Sequence, residues 1–199
     1  MEIINKSRLE AFSDGVIAII ITIMVLQINV PTHGSWSAIL APNFLITFGS
    51  YILSFMFVAS FWVSHHMILA PVKTVSKKLL WVNLLLLLPM SVLPTVTTWH
   101  NDFVNSVAPS VCYIAIYTFC VLGLFVLSKG AMKHVDESHI KMMESVAKIR
   151  FWMVMFGLVS TIGTFFIPQI ASISVMLILV GYHTSVFILN KKKWHGLIL

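Results

Sequence analysis

A handful of groups able to do chemistry lie inside an otherwise apolar N-terminal half: Arg8, Ser13 and Asp14, then His65 and His66, then Asn83. A carboxylate paired with an imidazole is a proton relay in outline, because burial and mutual charge displace the pKa values of both. The same groups can instead act as a structural network. Asp14 accepts hydrogen bonds from imidazole, hydroxyl or guanidinium donors, which removes a penalty of roughly 2.5–3.5 kcal/mol for an unpaired Asp at the centre of a membrane helix. The structural reading is preferred, because the chain places one carboxylate within a span and offers no second acidic station. Metal chemistry fits poorly. His65 and His66 diverge by ~100° on a helix and cannot share an ion, and His100 and His183 do not complete a ligand-spaced set. No nucleophile and base share a level, so the sequence reads as that of a non-enzyme without metal or other cofactor.

The elements that must position these groups are membrane helices. Of 199 residues, 58% are hydrophobic and 10% charged, far from the composition of a soluble domain. The expected architecture is all-α, a single domain over 1–199 with six transmembrane helices. Their spans are approximately 10–30, 41–70, 78–98, 109–128, 149–167 and 170–190, with a polar connector over 129–148. Pro42 and Pro71 bound the second span, and Pro89 and Pro94 are expected to kink or loosen the outer end of the third. Cys112 and Cys120 lie eight residues apart in one apolar run, roughly 12 Å along a helix and too far to bridge.

Charge sets the orientation. All 13 Lys and Arg residues fall on one side of this six-span scheme, and the opposite loops around 31–40, 99–108 and 168–170 contain none. By the positive-inside rule both termini are cytoplasmic, in a multi-pass protein of the cell membrane. The formal net charge of +6 is therefore a topology signal, with contact to anionic membrane lipid as a secondary effect. No basic arm or aromatic-interleaved patch points to nucleic acid. The same topology puts Ser13, Asp14, His65, His66 and Asn83, from three spans, at roughly one depth near the cytoplasmic end.

The first span has faces. At ~100° per residue, Ile19, Ile23 and Leu26 fall within about 40° of one line with Thr22 at its edge, and Asp14 projects roughly 140° away. Periodicity alone assigns the stripe to helix packing or lipid contact, since β-branched residues fill every face.

Four stretches carry a resemblance: Arg8-x-x-x-Phe12-Ser13-Asp14-Gly15, then Phe61-Trp62-Val63-Ser64-His65-His66, then Trp81-Val82-Asn83-Leu84, then the Leu-rich run reaching Pro89 and Pro94. In order and spacing they resemble the transmembrane protein 175 family, the endosomal and lysosomal potassium channels and their smaller prokaryotic relatives. The match covers about half the chain. It implies a homotetramer in which the first helix of each copy lines the pore. It also implies that Ile19, Ile23 and Leu26 form a hydrophobic constriction, that Thr22 is a hydroxyl layer bearing on selectivity, and that Trp62 and Trp81 pack inside, with Phe12 in the same packing motif; the alternative for Thr22 is a hydroxyl bonded to its own helix carbonyl at i−4, with no ionic role. A single repeat favours a bacterial or archaeal plasma membrane.

The resulting expectation is a potassium-permeable channel for monovalent cations. It lacks the Thr-Val-Gly-Tyr-Gly filter, and Val180-Gly181-Tyr182-His183-Thr184 is a decoy inside an apolar span. Without a carbonyl filter its preference for potassium is modest. The competing expectation is a proton-coupled secondary transporter using Asp14 and His65, although paired halves and helices broken at the midplane are not evident.

Overall fold

Long charge-free runs bounded by Pro, Ser and Asn give an all-helical chain. The computed structural model describes residues 5–31 and 33–195, with side chains through Leu189. The helices are α1 (Lys6–Val25), a short α2 (Trp36–Ile39), α3 (Pro42–Leu69), α4 (Lys77–Asp102), α5 (Val107–Ala131), α6 (Glu137–Thr164) and α7 (Ile170–His195), with a 3₁₀ turn at Met132–His134 after α5. Local chemistry fixes several starts. The Asn5 side chain caps α1 by accepting from the Ser7 amide, the Ser76 side chain caps α4 by accepting from the Leu79 amide, and Pro42 opens α3 where its missing N–H costs nothing.

Five helices, α3 to α7, are long and apolar enough to cross a membrane. Helix α1 has 20 residues, enough length, but Arg8, Glu10 and Asp14 fall in every 18-residue stretch of it. Its limits also differ from expectation. It begins at Lys6 and stops at Val25 instead of near residue 30, because Leu26–Ile28 close into a turn whose amides bond Ile23, Met24 and Val25 carbonyls. Leu26 is thus a cap residue. Helix α4, expected to kink or loosen at its outer end, is continuous in hydrogen bonding past Pro89 and Pro94 to Asp102. Packed neighbours and local adjustment re-satisfy the backbone groups that proline frees in apolar surroundings. Much of the 129–148 connector is the first part of α6, which starts at Glu137. The side chains of Lys191, Lys192 and Lys193, part of the charge argument for the C-terminus, lie outside the described residues.

Helix α5 is the core. Half of its most apolar stretch is buried against 17% for α7, and it packs on α3, α4, α6 and α7. Helix α1 lies against α3 and α4 at the periphery. Close approach of α5 and α6 depends on Gly157, where a Cβ would overlap the Thr118 side chain, itself tied to the Ile114 carbonyl. We expect Gly157→Val to cost about 1–3 kcal/mol by overpacking. Thermal unfolding of the detergent-solubilised protein measures it, and an unchanged midpoint would mean that Thr118 yields freely.

At the lysine-rich end a clamp joins the α3–α4 and α5–α6 connections. The Lys73 ammonium meets both Asp136 oxygens at 2.8 Å, and the Lys73 amide donates to the His134 carbonyl at 3.0 Å. Hydrogen bonding from Lys73 lowers the Asp136 pKa, desolvation opposes it, and the charges of Lys73 and His139 lower it further. A depressed carboxylate pKa means that the clamp's contribution is complete above the unfolded-state value of about 3.9 and is lost as pH falls through the lower folded value. Protection of the Lys73 amide, relative to an unstructured amide at the same pH, is therefore expected to fall in that acid window and in Asp136→Asn at neutral pH. Equal exchange in both proteins would remove the clamp.

Candidate functional site

Three helices bring the predicted polar groups to one level but divide them into two sets. The buried set is Ser13 of α1, His65 of α3 and Asn83 of α4. The Asn83 Nδ2 donates to Ser13 Oγ at 2.8 Å, Ser13 Oγ donates to the Leu9 carbonyl at 2.9 Å, and His65 Nε2 lies 2.6 Å from Asn83 Oδ1. An amide oxygen only accepts, so His65 must carry its proton on Nε2 and donate. The chain of bonds thus runs one way, from His65 through Asn83 and Ser13 to a helix carbonyl. The His65 ring also stacks on Phe61, centroids 6.5 Å apart.

The second set is on the protomer surface. Trp62 Nε1 donates to Asp14 Oδ1 at 2.8 Å, and His66 stacks over Trp62 at 6.1 Å. The expected single network around Asp14 is corrected accordingly: the acid pairs with an indole, not with His65. The cause is helical period. Ser13 and Asp14 are ~100° apart, and Phe61 with His65, like Trp62 with His66, form i,i+4 pairs on different faces of α3. Arg8 is exposed and, among the described residues, joins neither set. A second correction concerns Trp62 and Trp81, expected inside: they are 42% and 64% exposed in the single chain, and Phe12 of the same packing motif is 54% exposed.

Helix α1 buries one face, formed by Leu9, Ser13, Ile17, Ile20 and Met24. That face is centred roughly 120° from Ile19. Ile19, Ile23 and Leu26 are 58%, 45% and 80% exposed, and Thr22 beside them donates to the Ile19 carbonyl at 2.8 Å. Val180–Thr184 lies within α7, in helical conformation.

Sequence reading missed the role of Arg150, which it counted as one more topological cation. Its side chain is 3% exposed at the junction of α5, α6 and α7, and among the described residues no carboxylate pairs with it. Nη1 donates to Ser128 Oγ at 2.6 Å and Nη2 to the Tyr182 hydroxyl at 3.0 Å, a hydroxyl that also accepts from Ser64 at 2.7 Å. No spacing rule links positions 64, 128, 150 and 182, so only the fold could reveal this cluster. Likewise His100 at the other end of α4 is buried between the hydroxyls of Ser110 and Ser172, at 3.0 and 2.8 Å.

Residues 8–94 match the family described as endosomal/lysosomal potassium channel TMEM175. A potassium channel of Chryseobacterium sp. strain P1-3 is 35% identical over 176 residues, covering 84% of this chain and 86% of the relative. An endosomal/lysosomal proton channel TMEM175 of Gallus gallus is 31% identical over 138 residues, 62% of this chain and 26% of that protein. Among solved structures, a lysosomal potassium-selective channel TMEM175 homologue from Chamaesiphon minutus superposes with a TM-score of 0.79, covering 91% of this chain and 97% of that one at 23% identity, which shows a shared fold.

Proposed function

The chain belongs to the TMEM175 family of channels, and from that premise we propose that it is a potassium-permeable channel assembled from four copies, with α1 of each lining the pore. The potassium reading is favoured over a proton one because the bacterial potassium channel aligns over 86% of its own length and the avian proton channel over 26%. In this reading α1 is a sixth span, and both termini are cytoplasmic by the positive-inside rule.

One observation supports the reading most. Helix α1 anchors one face in its own chain and leaves Ile19, Ile23 and Leu26 uncovered on another. Around a fourfold axis these side chains form a constriction that water avoids, and dilation or rotation of α1 wets it. Thr22 presents a hydroxyl layer there. Potassium is preferred modestly, since no ring of backbone carbonyls replaces its hydration shell. Ser13, His65 and Asn83 hold α1 at a fixed tilt. Phe12, Asp14, Trp62 and His66 face the neighbouring copy, and Arg8 stays at the aqueous rim.

Bilayer recording of the purified protein under opposed potassium and sodium gradients tests the reading. Unitary steps with a reversal potential displaced toward potassium support it. Flux that needs a proton gradient and vanishes in Asp14→Asn would replace it by a coupled carrier.

A further inference from the structure

On the protomer surface α4 and α5 line a groove with a volume of ≈ 640 Å³, walled by Leu85, Leu88, Pro89 and Val92 on one side and by Phe119 and Leu122 on the other. That volume is in the range of about 300–1,000 Å³ typical of small-molecule sites. At its lysine-rich end the groove passes Val82 and Val126 into a second hollow of ≈ 250 Å³, and these two valines line both. The second hollow has a different chemistry: Lys78, Lys129, Lys133 and His134 surround it, with Ser76 at the edge. Among the described residues the ion pairs are Lys6 with Glu10 and Lys73 with Asp136, so none of these three lysines is neutralised by a carboxylate.

We propose that this α4–α5 cleft is a binding site for one anionic phospholipid per chain, with an acyl chain along the groove and the phosphate among Lys78, Lys129 and Lys133. The two hollows are complementary to the two halves of one molecule. The groove is apolar where the hydrocarbon lies, and the basic hollow sits where α4 begins and α5 ends, at the level of a headgroup. Basic hollows between membrane helices recognise lipid phosphates in this way, and each nearby lysine strengthens attraction about fivefold. A second copy would meet the hollow with its own excess of lysines at the same level, whereas a phosphodiester brings the missing negative charge. The site rests on the chain's placement in the membrane and is independent of the pore reading.

Native mass spectrometry of the detergent-purified protein tests this, with phosphatidylglycerol and phosphatidylcholine of identical acyl chains as probes. We expect one phosphatidylglycerol retained per chain in preference to phosphatidylcholine, weakened about fivefold for each lysine changed in the series Lys78→Gln, Lys129→Gln and Lys133→Gln. These lysines are exposed, so folding is not at stake. Val92→Trp, which fills the groove, is expected to weaken retention with all lysines intact, its unfolding midpoint being checked alongside. Equal retention of both lipids, which is also the result if a second copy closes the cleft, overturns the proposal. So does selectivity that survives the triple glutamine variant, or retention indifferent to Val92→Trp in a folded protein.

Discussion

Channels carrying Ile19→Asn are expected to pass at least about ten times the wild-type current at the same driving force. Ile19 is 58% exposed in the single chain and lies off the buried face of α1, so its replacement is expected to leave the fold intact. In the proposed fourfold assembly the same substitution would put four amides in place of four branched hydrocarbons. A polar amide transfers from water to apolar surroundings at a cost of several kcal/mol, so an amide-lined ring stays wet where an isoleucine ring dries. A barrier lowered by only ~1.4 kcal/mol raises the rate tenfold. Single-channel amplitude in reconstituted protein that still migrates as the wild-type oligomer measures it. Unaltered amplitude would place Ile19 against lipid and take the rest of the stripe with it.

Asn83→Ala is expected to lower stability more than loss of one interhelical hydrogen bond would. Such a bond is worth ~0.6 kcal/mol on average between membrane helices. Here the alanine also strands the His65 Nε2–H, in a side chain 1% exposed, which costs about 1–3 kcal/mol. Ser13 suffers less, since it still donates to the Leu9 carbonyl. The two effects separate in a double variant. Adding His65→Phe removes the stranded donor, so Asn83→Ala with His65→Phe is expected to melt above Asn83→Ala alone. If the double variant melts lower still, His65 is held by something other than Asn83. Because this layer ties α1 to α3 and α4, the single variant is also expected to dissociate more readily into single chains.

The five helices α3 to α7 were legible from apolar length and proline punctuation, and the shared level of the polar groups was legible from the lysines flanking it. What the sequence withheld was azimuth. Ser13 or Asp14, Phe61 or Trp62, His65 or His66: in each adjacent pair one member turns inward, and nothing in a run of isoleucine, phenylalanine and tryptophan says which. Pairing Asp14 with His65 failed for that reason, since charge complementarity was applied to residues that share a level but not a face. The exposure of Phe12, Trp62 and Trp81 in the single chain has the same origin, because the sequence does not say which way an aromatic on such a helix turns. Arg150 shows a different limit. A cation near a span end can extend to water or bury itself, and the hydroxyls of Ser128 and Tyr182 that settle the matter come from other helices.

The pore assignment is tested most directly at Ile23, which is 45% exposed on α1 two turns beyond Gly15 on the side away from Asn83. A charged, water-soluble methanethiosulfonate reagent is applied to Ile23→Cys channels in a bilayer from the side opposite the lysine-rich loops, with wild type, which retains Cys112 and Cys120, as the control. If α1 lines the pathway, the reagent abolishes the current in the variant and spares the wild type. Full current in the variant after prolonged exposure would mean that ions pass elsewhere.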